Sequence, residues 1–297
     1  MNQLSRKKYS GNQFKDRTVL VVGGTPATRA RKKLGLGDML RILPILPNLN
    51  TSRLVWSSDG EIFPLIEIFE LFGELIEDEN LAARIDDFDV CIDLSDQAPI
   101  PFGMFSVSLS EMLGKDELTK ETTFDLADKI RKALGIDRDD VIPLTQQSSL
   151  EISSVGINYL VPEDSSIKAL PTEIWEQTVA LLECNFEVSL QPDETGMATY
   201  VNWLKSTDIF VSVVGLGCHI AMLLGKPLIT LAGPTDFTEA HSYKFGEVLN
   251  PSSPCEFRPC QLQTGMDNCG CMGDFSPQLI ANAVRNMAAV ASAGRQG

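Results

Sequence analysis

The sequence predicts an α/β protein made of two Rossmann-like domains with a cleft between them. Three observations point that way. Short β-branched runs alternate with amphipathic stretches along the whole chain. Two of those runs end in glycine turns, at Gly23-Gly24 and at Gly215-Leu216-Gly217. The alternation also restarts near residue 155, after the polar stretch Asp137–Ser153, and 297 residues suit two domains. The expected division is a flexible tail over 1–16, an acceptor-side domain over 17–154 and a donor-binding domain over 155–297.

The elements follow in order. Thr18–Gly24 (TVLVVGG) reads as a buried strand. Asp38–Leu46 carries helical apolar spacing, which Pro44 and Pro47 would bend or end early. Arg53–Ser57 is a strand, Ile62–Ile76 an amphipathic helix, and Asp89–Leu94 a third strand. Thr122–Leu134 is a helix stopped by Gly135. In the second half Ile157–Val161, Phe186–Leu190, Asp208–Val214 and Pro227–Leu231 are strands. Thr172–Leu182, Thr199–Lys205, Gly217–Leu224 and Pro277–Ala291 are the helices between and after them. Ligands of such units bind at the carboxyl ends of the strands.

Composition excludes several classes. Forty acidic residues against 25 basic give a net charge of −15, a field that repels polyanions, so no nucleic-acid partner is expected. The longest apolar stretches, Val211–Leu216 and Ile220–Leu224, fall far short of the roughly 20 residues a membrane helix needs. Met1–Lys15 lacks the apolar region of a secretory signal, which gives a cytoplasmic reading. Seven cysteines, an odd number without an export signal, argue against a disulfide framework.

Four segments carry chemistry. In Leu34–Arg41 (LGLGDMLR), Asp38 is placed either as a helix N-cap or as a general base at a strand-to-helix turn. The basic residues Arg29, Arg31, Lys32, Lys33 and Arg41 bracket that turn, as a solvated loop or as a site for a phosphorylated ligand, with Arg31, Lys33 and Arg41 the candidates. In Val211–Asp236 a helix N-terminus at Gly215-Leu216-Gly217, followed by Cys218 and His219, has the makings of a phosphate site. Gly233-Pro234-Thr235 closes that segment. Lys168 lies in the loop between a strand and a helix, from which an ammonium group reaches the cleft. Finally, Cys255, Cys260, Cys269 and Cys271 fall within 17 residues, a set that fits a tetrathiolate zinc or iron site, although the spacing is not that of a zinc ribbon; four free thiols is the other reading.

Taken together these segments resemble glycosyltransferase family 9, the heptosyltransferase-like family of lipopolysaccharide assembly. The GxGD turn of that family is matched by Gly35-Leu36-Gly37-Asp38, with an apolar, Pro-containing stretch after it at Leu40–Pro44. Its Lys before a Pro and a Trp is matched by Lys168, Pro171 and Trp175. Its H-x-A, then LGxPxxxLxGPT, is matched by His219, Ala221, Leu224–Pro227 and Leu231–Thr235. Where the family carries Asp-Thr-Gly before the His, this chain has Val214-Gly215-Leu216, without the carboxylate.

The resemblance implies a GT-B fold and an inverting transfer of a sugar, heptose among the candidates, from a nucleotide-sugar donor, ADP-linked by preference. It implies a hydroxyl acceptor on a glycan, lipid or protein, and no catalytic metal. By residue match Asp38 resembles the base. Lys168, Gly215, Gly217, Cys218, His219, Gly233 and Thr235 resemble the donor-binding set. The cysteines resemble a structural zinc or iron loop. Peripheral contact with the inner membrane face and homo-oligomerisation are further expectations. Two alternatives stand beside this reading. One, prompted by Val214 and by a short region 106–155, is a non-catalytic sugar-nucleotide-binding or scaffold protein; the other, prompted by the four clustered cysteines, is a structural metal protein on the same scaffold.

Overall fold

A computed structural model describes residues 9–24, 36–67, 70, 72–96, 98–113, 126–136, 152–193, 196–235, 245–253 and 270–293. The chain divides into two compact units, Met1–Ile142 and Pro143–Gly297.

The first unit holds strands β1 (Thr18–Gly24), β2 (Arg53–Ser58), β3 (Glu74–Glu77), β4 (Val90–Asp93) and β5 (Phe105–Ser108). Their order is β3-β2-β1-β4-β5, all parallel. The order reverses between β1 and β4, the switch point of a doubly wound sheet. Helices α1 (Leu36–Ile42), α2 (Phe63–Glu67), α3 (Asp78–Arg84), α4 (Leu109–Leu113) and α5 (Leu126–Ala133) complete it. Leu20 and Val22 alternate onto a core shared with Val55, Ile76, Leu81, Ile85, Phe88 and Cys91. A Cβ on Gly23 would come within 2.2 Å of the Trp56 ring, so the glycine at the end of β1 makes room for an indole.

Several expectations are corrected here. The segment expected as a tail is built into the unit from Tyr9 onward: Tyr9 and Phe14 are buried and meet Phe105 edge-on. The first helix starts at Leu36, so Asp38 is its third residue and not its N-cap. It ends at Ile42, and Leu43–Leu49 continues as a 3-10 helix because Pro44 and Pro47 deny the α hydrogen bonds. The helix expected over Ile62–Ile76 is only α2, and Glu74–Glu77 pairs instead with β2. Its apolar residues Leu75 and Ile76 fit either period, and the free edge of β2 decided between them. Helix α4 is fixed by a capping box: the Glu111 N–H donates to Ser108 Oγ and the Ser108 N–H donates to Glu111 Oε2, both at 3.2 Å.

The second unit holds β6 (Ser154–Asn158), β7 (Glu187–Leu190), β8 (Ile209–Val213), β9 (Leu228–Leu231) and β10 (Gly246–Leu249), again all parallel, in the order β10-β9-β8-β6-β7. The switch point lies between β6 and β8. Strands β8 and β9 are buried throughout, which explains their unbroken apolar sequence. Helices α6 (Thr172–Leu182), α7 (Met197–Ser206), α8 (Leu216–Leu223) and α9 (Pro277–Ala293) flank the sheet. The strand expected at Ile157–Val161 lies three residues earlier, and β10 has no counterpart among the expected strands. Helix α8 closes on Gly225 at a φ of 68°, with the Lys226 N–H donating to the Ala221 carbonyl at 2.9 Å. Buried Lys226 then donates from Nζ to the carbonyls of Lys205 and Thr207 at the end of α7, where the helix dipole favours a cation.

Candidate functional site

A cavity of about 470 Å³ opens at the carboxyl ends of β6 and β8, at the switch point of the second sheet. Asn158 ends β6, Val213 ends β8, and Val214, Gly215, Leu216 and Gly217 carry the chain from β8 into α8 along the cavity wall. Gly215 is the N-cap of α8 and has no side chain to occupy the first amides, so the α8 N-terminus offers free N–H groups to the cavity.

Two glycines in this turn serve different ends. A Cβ on Gly217 would lie 2.4 Å from Tyr200 Oη and 3.0 Å from the Phe210 ring, so this position is glycine for packing. A Cβ on Gly215 would meet nothing nearer than the Val213 carbonyl at 3.9 Å. Its absent side chain leaves the cavity open at the helix end.

Behind the wall runs a saturated polar chain. Tyr200 Oη donates to Asn158 Oδ1 at 3.2 Å, Asn158 Nδ2 donates to Ser212 Oγ at 2.8 Å, and Ser212 Oγ donates to the Val213 carbonyl at 2.7 Å. Burial, with the Cys218 thiol beside it, pushes the Tyr200 phenol up, so it stays a donor at neutral pH. This chain ties α7, β6 and β8 together and fixes the height of the glycine turn.

Lys168 ends the 3-10 turn Glu163–Lys168 and lines the same cavity, its Nζ donating to the Val214 carbonyl at 3.3 Å. Residues 46 positions apart in sequence are thus brought together: Lys168, Gly215 and Gly217 share one wall. An ammonium beside a helix N-terminus is suited to a diphosphate.

The other expected donor residues sit elsewhere. Cys218 is fully buried behind the turn, its thiol donating to the Val213 carbonyl at 3.3 Å, and burial pushes that thiol up. His219 is half-buried on α8 and is not part of the cavity lining. Gly233 and Thr235 are buried at the end of β9. A Cβ on Gly233 would lie 1.9 Å from Met272 Sδ, so the GPT turn is shaped by the segment after the cysteine loop. In the first unit the side chain of Asp38 and the residues Arg29, Arg31, Lys32 and Lys33 lie outside what is described, while Arg41 is half-buried in the last turn of α1. Of the cysteine cluster, Cys255, Cys260 and Cys269 lie outside the described residues too, and Cys271 is buried in the core of the second unit. Among the described residues no three potential ligands group together for a metal.

Sequence reasoning missed Asn158, Gln191 and Tyr200. The first two could have been flagged as polar residues closing an apolar strand. Tyr200 could not, because its role depends on a glycine 17 positions away.

Both units are five-stranded parallel α/β sheets, and the fold they make is that of the GT-B glycosyltransferases. No family model matches the sequence, and no curated protein matches it. Among solved structures the chain is similar to the ADP-heptose lipopolysaccharide heptosyltransferase II of E. coli, with a TM-score of 0.60 and 17% identity over 91% of this chain and 98% of that one. It is similar to a family 9 glycosyltransferase from Veillonella parvula, with a TM-score of 0.59 and 13% identity over 93% and 98%. It is also similar to the iron-containing dodecameric glycosyltransferase TibC from enterotoxigenic E. coli, with a TM-score of 0.60 and 13% identity over 92% and 77%. The resemblance to glycosyltransferase family 9 thus holds at the level of the fold. No helix among the described residues is long and apolar enough to cross a membrane.

Proposed function

We propose that this protein is a glycosyltransferase that moves a sugar from a nucleoside-diphosphate donor, ADP-linked, to a hydroxyl acceptor. The observation that carries the reading is the shared wall of Lys168, Gly215 and Gly217 at the switch point of the second unit. The acceptor oxygen attacks the anomeric carbon as the bond from that carbon to the phosphate oxygen breaks. The nucleoside diphosphate leaves with the electron pair, and Asp38 takes the acceptor's proton. Charge gathers on the leaving diphosphate, where Lys168 and the α8 N-terminus favour the transition state over the ground state. The similar E. coli enzyme uses ADP-heptose, which supports the choice of nucleotide.

A second reading is favoured by one observation. Val214 is buried and apolar where the resembling family carries a carboxylate, so a protein that binds the donor without transferring it fits as well.

Calorimetry with ADP tests the site. Wild type should bind, and Lys168→Ala should bind about 10–100-fold more weakly, the range of a charge-assisted contact. Equal affinity in the two proteins refutes the assignment of Lys168. Binding without transfer to any hydroxyl acceptor supports the second reading over the first.

A further inference from the structure

A second cavity, of about 470 Å³, lies in the first unit along the outer side of β3. Strand β3 ends the sheet order, so among the described residues it is paired on one side only. The Gly73 N–H donates to the Leu54 carbonyl of β2 at 3.1 Å. Leu75, two residues on, turns its backbone the same way, so Glu74 and Ile76 turn theirs to the open edge. Ile76 lines the cavity. Phe63 and Leu75, both half-buried, give it an apolar wall, and Asn80 and Ala83, both exposed on α3, give it a second one.

The charges around this slot decide what can fill it. Arg84, on the cavity wall, is already neutralised: it pairs with Glu74 at 2.9 Å and with Asp87 at 2.7 Å. Glu74 is paired with Arg53 as well. The acids left over are Glu77, Glu79 and Asp86, all exposed and without an ion pair among the described residues. From Glu74 to Asp89 the chain carries seven acidic side chains and one basic. A segment of that sign repels a second copy of itself, which disfavours edge-to-edge pairing of two β3 strands, and it repels anionic ligands too. It attracts cationic ones. A strand edge with unspent N–H and C=O groups takes an extended backbone, and an apolar slot beside it takes every second side chain of that backbone.

We propose that the outer edge of β3 binds an extended, basic peptide segment of a partner protein. The segment adds a strand beside β3, seats apolar side chains at alternate positions against Phe63 and Leu75, and sets lysine or arginine between them beside the unspent acids of the β3–α3 segment. This surface lies within the first unit and does not depend on the donor reading. Acids that only guard an exposed edge against pairing need no cavity beside them, whereas here the open edge, the apolar slot and the unpaired acids coincide.

The test measures binding of a fluorescently labelled octapeptide of alternating Lys and Val to the full chain by anisotropy. Wild type should bind it about tenfold or more tightly than two controls: an equally charged peptide of alternating Lys and Ser, and the Lys-Val peptide N-methylated at alternate residues, which cannot complete the strand pairing. A peptide of alternating Glu and Val should not bind. Ala83→Trp fills the slot from an exposed helix position, so it should lower the affinity about tenfold or more at an unchanged melting temperature. Glu77→Gln combined with Glu79→Gln should lower it about 3–10-fold, the range of two exposed ion pairs. Equal affinity for the Lys-Ser peptide would overturn the proposal, because charge alone would then bind. Binding that Ala83→Trp leaves intact would overturn it as well, and so would no binding of the Lys-Val peptide, which would leave the acids as edge guards. Concentration-dependent dimerisation that Ala83→Trp abolishes would assign the edge to a second copy of the chain and overturn it too.

Discussion

The two units are pinned alike at one end of their sheets and differ at the other. At the amino ends an aspartate clamps the switch-point strands in each. Asp89 accepts from the Thr18 N–H at 2.8 Å and from Thr18 Oγ1 at 2.7 Å. Asp208 accepts from the N–H groups of Ser153 and Ser154, both at 2.9 Å. Both carboxyls are held below the usual range. For Asp89 the Thr18 hydrogen bonds are the cause; for Asp208 burial opposes the shift, and the four hydrogen bonds from Ser153 and Ser154 together outweigh it. At the carboxyl ends the units part. Asp93 of β4 is buried and saturated by its own turn, accepting from the Ser95 N–H, Ser95 Oγ and the Ala98 N–H. In the second unit the corresponding end holds an open cavity, a lysine and a helix N-terminus. A polar residue at the end of a parallel strand is therefore not a ligand site by position alone. What matters is whether its hydrogen-bonding capacity is already spent.

The comparison can be broken in three places. The largest effect is expected at Asp38, the group in the first unit to which the proposed chemistry is assigned. Asp38→Asn should lower turnover by about 10²–10⁴-fold with an unchanged melting temperature. Because Asp38 lies inside α1 and not at its cap, a large loss of stability would point to a structural role instead.

The next effect separates the two glycines of the second unit. Gly217→Val forces Tyr200 and Phe210 apart and should destabilise the protein by about 1–3 kcal/mol, with ADP binding lost as the turn shifts. Gly215→Ala meets no such obstacle and should melt like wild type, but its methyl group fills space that a diphosphate would need. ADP affinity unchanged in Gly215→Ala would mean that the ligand does not approach the backbone there.

The smallest effect on function should come from Asp93→Ala. Leaving the Ser95 and Ala98 amides unpaired should cost about 1–3 kcal/mol, several degrees in melting temperature. ADP affinity should be unaltered. A fall in ADP affinity would show that the saturated turn contributes to binding after all.

Much of the second unit was legible in the sequence because its strands are buried on both faces and read as unbroken apolar runs, as Ile209–Val213 and Leu228–Leu231 do. The first unit was harder to read. Glu74–Glu77 and Phe105–Ser108 are short and half-buried, so their pattern is weak, and their strand character comes from pairing with β2 and β4. The same division runs through the site. The sequence by itself determined the two α/β halves, the glycine turn before α8 and a lysine ahead of α6, because each is a local signal of residue type and spacing. Only the tertiary structure decided that Lys168 meets the carbonyl of Val214, that Gly217 is glycine on account of Tyr200, that Cys218 lies behind the wall, and that Gln191 lines the same cavity as Lys168. Each of these depends on which strand ends the parallel pairing sets side by side, a long-range fact that no local window of sequence contains.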